Sequence, residues 1–169
     1  MKYTNKSEIN PLLIQQHFAA IRFVTSEFSA IYTGGFKNGD RIAVFGLQLY
    51  SRRLLSASSI FIAEANAMLL ALKFIASSEC KFITCSDYLS CLLAIEKCKG
   101  QNPFILKTIE MHKSLVDIGR HIIFTWIPCH IGINWNAVVD QEAMNTLDNP
   151  ISNCSIRHTN FKSFTVKYL

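Results

Sequence analysis

The apolar residues of this 169-residue chain change period several times, and each change marks an element. Apolar positions 13, 14, 18 and 21 form a stripe at helical spacing behind Pro11, which suits a first helical turn, so a helix is expected over Pro11–Phe23. Ser29–Lys37 reads as a strand. Asn38-Gly39-Asp40 follows, and Asn-Gly supplies the positive φ angles of a tight hairpin turn. Arg41–Leu47 and Gln48–Leu54 read as two further strands, giving a three-stranded meander. Ser56–Ser59 offers N-cap residues for a long helix over Ile60–Ile75, rich in Ala, Leu and Met.

The second half alternates. Lys81–Cys85 is a short buried strand, closed by Ser86 and Asp87, which can cap a helix over Tyr88–Lys97. Gly100-Gln101-Asn102-Pro103 reads as a turn, and a helix over Phe104–Ile118 ends at Gly119. His121–Ile127 is a β-branched and aromatic strand, Pro128–Asn134 a loop, and Trp135–Leu147 a closing helix. The order βββαβααβα predicts an α/β fold, a mixed sheet with helices on its faces. Residues 1–28 read as a lead-in segment with a short helix, 29–148 as the domain, and 149–169 as a weakly patterned tail.

Composition narrows the class. Half of the residues are hydrophobic and 17% are charged, which is enough for one core and too apolar for a disordered chain. No stretch reaches the roughly 18 uncharged apolar residues of a membrane helix, and the polar start has no signal-peptide form. An intracellular protein, cytoplasmic or nuclear and not secreted, is expected. The six cysteines form no Cys-x-x-Cys pair, so structural zinc spacing is absent and buried reduced thiols are expected. A net charge of +5 suits a phosphate backbone but suits many other partners too.

Three acids and a histidine stand out. Glu64 has Ile60, Phe61, Ala67 and Met68 at helical spacing, so it lies on an apolar face and needs a donor, a base or a metal ion. Asp87 ends a strand and opens a helix, where the plain alternative is an N-cap. Asp140 is flanked by Val138, Val139 and Ala143 in the last helix, so the burial argument applies to it more weakly. His130 lies in the preceding glycine-containing loop, ten residues before Asp140, and suits general acid–base work.

With Tyr32-Thr33-x-Gly35, Ala63-Glu64-Ala65, Ser86-Asp87, Trp126-Ile127-Pro128-x-His130-x-Gly132 and Asn136-Ala137-Val138-Val139-Asp140 in order, the chain resembles the type 1 ribonuclease H family. The resemblance is strongest to the ribonuclease H domains of non-LTR retrotransposon polyproteins, and it runs over roughly seven tenths of the chain, from about Ile31 to Leu147. It implies a ribonuclease H-like mixed five-stranded sheet with helices on both faces. It implies two Mg²⁺ (or Mn²⁺) ions about 4 Å apart, held by four carboxylates, and hydrolysis of the RNA strand of an RNA–DNA hybrid. Specificity would rest on backbone shape and 2′-hydroxyl contacts. Glu64, Asp87 and Asp140 fall on three of the four metal positions, and His130 on a mobile histidine that helps proton movement. The implied partner is nucleic acid with no membrane, bound by a monomer or by a fragment of a larger polyprotein.

The match is incomplete. Gly34 occupies the first aspartate's position, the ligand expected between the two metals. Asp40 cannot replace it, since six residues of strand span on the order of 20 Å. Phe36 replaces a neighbouring serine, Trp135 stands where the family has a loop glycine, and Arg41–Tyr50 is about two residues short. Catalysis is therefore expected to be impaired, the weaker metal site being its cause. The alternative is a catalytically inactive nucleic-acid-binding module derived from a retrotransposon. A small-molecule α/β enzyme would need a phosphate-cradling glycine-rich loop, and the chain has neither a P-loop nor Gly-x-Gly-x-x-Gly.

Overall fold

The computed structural model describes residues 10–38, 41–46, 50–54, 58–98, 102–128, 134–148 and 150; the side chains of 38, 41–46, 50–52, 134–137 and 140 lie outside the description. The elements are α1 (Pro11–Val24), β1 (Ser29–Asn38), β2 (Arg41–Gly46), β3 (Tyr50–Leu54), α2 (Ile60–Ala76), β4 (Phe82–Ser86), α3 (Leu89–Glu96), α4 (Pro103–Asp117), β5 (Ile122–Trp126) and α5 (Asn134–Asn145), followed by a 3₁₀ turn, Thr146–Asp148.

Local chemistry explains most boundaries. Asn10 caps α1, its side chain accepting from the Leu12 N–H at 3.0 Å, with proline at the first helical position. Ser59 caps α2 through the Ile62 N–H, and Asn102 caps α4 through the Phe104 N–H. At the far end of α4, Gly119 takes φ +86° while Arg120 N–H donates to Leu115 O and Gly119 N–H to Val116 O. These paired bonds satisfy the last carbonyls in a Schellman turn that a left-handed glycine makes possible. The expected turns at Gly39-Asp40 and Gly100-Gln101 lie outside the described residues.

The sheet runs β3-β2-β1-β4-β5. β1, β2 and β3 pair antiparallel, whereas β1–β4 and β4–β5 pair parallel. β4 is buried along its whole length, as a central strand covered on both faces should be. Alternation divides β1. Ile31 packs with Ala71, Leu72 and Ile75 of α2. Tyr32 and Phe36 face the other way, against Val139 and Ala143 of α5. Ala30 and Tyr32 also join Ile83, Cys85 and Ile127 under Phe18 and Ile21 of α1. The lead-in helix is thus packed on the sheet beside α5. α2 is buried nearly all round because α3 and α4 cover its outer side through Cys91, Phe104 and Ile105.

Two expectations change. Not all thiols are buried: Cys85 and Cys91 are, but Cys80 and Cys98 lie exposed in the segments just past α2 and α3, while Cys129 and Cys154 lie outside the described residues. And Asp87 is not the N-cap residue of α3: Tyr88 holds that position without a side-chain cap bond, and Ser86 Oγ accepts from the Tyr88 N–H at 3.2 Å. Among the described residues no helix is long and apolar enough to cross a membrane.

Candidate functional site

The end of the β1–β4 ladder, midway along β1, brings the Gly34 and Asp87 positions together. Thr33 pairs with Ser86 in the last parallel rung, so Gly34 and Asp87 are the next residues on their two chains. By strand alternation both positions belong to the face of Tyr32, Cys85 and Phe36, which α5 and α1 cover. Gly34 is buried there and pairs with Phe45 of β2 on its other side.

Glu64 meets β1 next to Gly34, coming from α2, which packs on the other face of the strand. It is only 3% exposed, and its Oε1 accepts a hydrogen bond from the Gly35 N–H at 2.8 Å. That bond lies beyond the last β1–β4 rung, so the carboxylate meets β1 where its parallel neighbour has ended. It also depends on a glycine. A Cβ on Gly35 would stand 2.8 Å from Ala63 Cβ and 3.1 Å from the Glu64 backbone nitrogen. Gly35 takes no role from the sequence alone, although a glycine inside a strand is a signal of close backbone approach.

Asp87 is half-buried. Its carbonyl accepts from the Trp126 indole Nε1–H at 3.1 Å and from the Leu89 N–H at 3.2 Å. Trp126 is a second residue without a role in the sequence alone; its signal is a strand-end indole, a donor that needs a partner when enclosed.

The charge of Glu64 is felt by its neighbours. Burial raises the pKa of the Cys91 thiol, and the Glu64 carboxylate raises it further. Tyr88 is raised first by burial, then by Cys91 and Glu64. Both groups are thus held neutral. A carboxylate as enclosed as Glu64 gains from a cation brought beside it.

Asp140 and His130 are the other two candidate residues. Val139, which precedes Asp140 in α5, is buried against β1, placing that turn of the helix over Tyr32 and Phe36. The Asp140 side chain, and all of His130, lie outside the described residues. Among the described residues no group of three or more His, Cys, Asp or Glu could hold a metal ion. Glu64 and Asp87 suit a hard divalent cation in kind, since both offer carboxylate oxygens. Gly34 adds no donor between them.

No protein-family model matches the chain, and no curated protein matches it. Solved structures do. The ribonuclease H1 of the halophilic archaeon Halobacterium salinarum superposes with a TM-score of 0.53 at 16% identity, over 72% of this chain and 98% of that one. The foamy viral protease–reverse transcriptase in complex with RNA/DNA hybrid superposes with a TM-score of 0.58 at 15% identity, over 89% of this chain. This chain spans only 22% of the viral one. At such identities the likeness speaks to architecture: the chain has an α/β, ribonuclease H-like fold.

Proposed function

We propose that the chain is a ribonuclease H-like domain, spanning 29–148, that binds RNA–DNA hybrid and hydrolyses the RNA strand poorly because one metal-binding carboxylate is missing. The observation that supports this best is the meeting of Glu64 with β1 just past the β1–β4 ladder: a buried carboxylate fixed on Gly35, whose neighbour Gly34 stands level with Asp87. In this reading Glu64, Asp87 and Asp140 hold Mg²⁺ or Mn²⁺. The bound ions would polarise the scissile phosphate and activate water. Asp87 is held at the strand end, Glu64 is buried and oriented, and His130 assists a proton near the departing oxygen. The net charge of +5 favours the phosphate backbone. Gly34 has no side chain to help hold a metal, so three carboxylates would hold it less firmly than four, and misplacement by about 1 Å can slow a reaction on the order of a hundredfold.

The second reading, a binding module without catalysis, is favoured by Gly34 itself. A labelled RNA–DNA hybrid separates the two, incubated with Mg²⁺ or Mn²⁺ and the unmodified chain or its Gly34→Asp variant. Slow or undetectable cleavage by the first and partial recovery in the second are expected. Robust cleavage by the unmodified chain, abolished by Asp87→Asn, would show that the glycine is no impairment. Hybrid binding with no cleavage in either chain would leave the binding module as the function.

A further inference from the structure

We propose that Trp126 is a positioning residue that aims the Asp87 carboxylate through a hydrogen bond to the Asp87 backbone. The proposal rests on the reading of Asp87 as a metal ligand.

Regular β4–β5 pairing ends with Ser86 opposite Trp126, one residue short of Asp87. Two bonds from the Trp126–Ile127 segment hold the chain past that point. Ile127 N–H donates to Ser86 O at 3.0 Å, and the Trp126 indole donates to Asp87 O at 3.1 Å. The indole therefore does what a further rung of strand would do. The peptide group after Asp87 is clamped at its other end as well, where Tyr88 N–H donates to Ser86 Oγ at 3.2 Å. With its carbonyl and the following N–H both held, Asp87 loses the backbone rotations that would swing its side chain away from Gly34.

An enclosed indole often finds whichever acceptor is near, which is the plain reading of this bond. One feature sets this bond apart: its acceptor is the residue that the fold leaves just outside the ladder. The Trp126 ring also borders an apolar cleft of about 640 Å³ between α1, α3 and β5, with Ile14, Phe18, Leu92 and Phe124. A phenyl ring can stay in that setting, so Trp126→Phe removes the donor and keeps the aromatic surface.

The test measures Mn²⁺ binding to the full chain carrying Gly34→Asp, alone and with Trp126→Phe, Asp87→Asn or both, and records thermal unfolding alongside. Partners that orient a metal ligand cost roughly 10–100-fold in metal affinity when removed. Trp126→Phe is expected to weaken Mn²⁺ binding about tenfold with Asp87 present, and not to weaken it further once Asp87 is Asn. A structural role would weaken binding equally in both backgrounds and would overturn the proposal. So would an unchanged affinity in Trp126→Phe where Asp87→Asn loses binding, and in that case the metal site itself survives. No Mn²⁺ binding, or none lost on Asp87→Asn, overturns the proposed function and the role of Trp126 with it. Should Trp126→Phe not fold, the indole N–H resonance of the parent chain reads the same link. Slow exchange with solvent, and Mn²⁺ broadening that disappears in Asp87→Asn, are expected; a fast-exchanging indole proton would overturn the proposal.

Discussion

Gly35→Ala adds one methyl group at the closest approach of sheet and helix. The new carbon would lie 2.8 Å from Ala63 Cβ, 3.1 Å from Glu64 N and 3.2 Å from Ala63 C. Carbon atoms prefer about 3.5–4.0 Å, so α2 must retreat by roughly 0.7 Å. Two of the three obstructing atoms are backbone, so no rotamer change relieves the clash. Overpacking of this kind costs about 1–3 kcal/mol. The same retreat stretches the 2.8 Å bond from Gly35 N–H to Glu64 Oε1 toward its limit. A hydrogen bond to a charged group contributes about 1.5–3 kcal/mol. Together the loss should be about 2–5 kcal/mol, or on the order of 10 °C in unfolding temperature for a chain of this size. Urea unfolding reads it, with two controls. Gly119→Ala strains a left-handed backbone and meets nothing within 4 Å, so its cost of about 1–2 kcal/mol should be indifferent to Ala63. Ala63→Gly removes the nearest obstruction and should recover part of the Gly35→Ala loss, leaving the two backbone contacts in place. A loss below about 0.5 kcal/mol for Gly35→Ala, or strict additivity with Ala63→Gly, would refute the argument.

Other outcomes follow from single features. Hybrid binding should be measurable at low salt, and each phosphate contact should cost about threefold in affinity between roughly 50 and 200 mM salt; binding insensitive to salt in a filter or anisotropy assay contradicts the phosphate-backbone reading. Cys98 holds φ +47° just past the end of α3, so Cys98→Gly should stabilise the fold by about 1 kcal/mol in chemical unfolding. In the native protein iodoacetamide should label Cys80 and Cys98 and spare Cys85 and Cys91, as read by peptide mass mapping. Burial pushes the Cys85 thiol up to about 12, so it stays protonated and unreactive even at about pH 9; labelling of Cys85 there, with the fold intact, would contradict its enclosure.

Much of the element order was legible because local rules set it. Pro11 behind Asn10, Ser59 ahead of an alanine- and leucine-rich run, and Gly119 past α4 each act within one turn of chain. The helix expected over Ile60–Ile75 spans Ile60–Ala76, and the strand expected over Lys81–Cys85 spans Phe82–Ser86. The apolar neighbours of Glu64 likewise pointed to its burial, since helical spacing alone places them around it.

What meets Glu64 was another matter. Its partner is a backbone N–H 29 residues away, and no pattern within α2 specifies it. A contact distant in sequence also separates the roles of two adjacent glycines. Gly34 is read by comparison with a motif, whereas Gly35 is explained only by Ala63 lying across from it. Asp87 taken alone looked more like a cap than a site residue, because Asp caps helices without any other role; the backbone path puts Tyr88 at the N-cap position instead. Periodicity and capping act over a few residues and can be read along the chain. Register, close approach and the bond from Trp126 to Asp87 exist only once strands distant in sequence lie side by side.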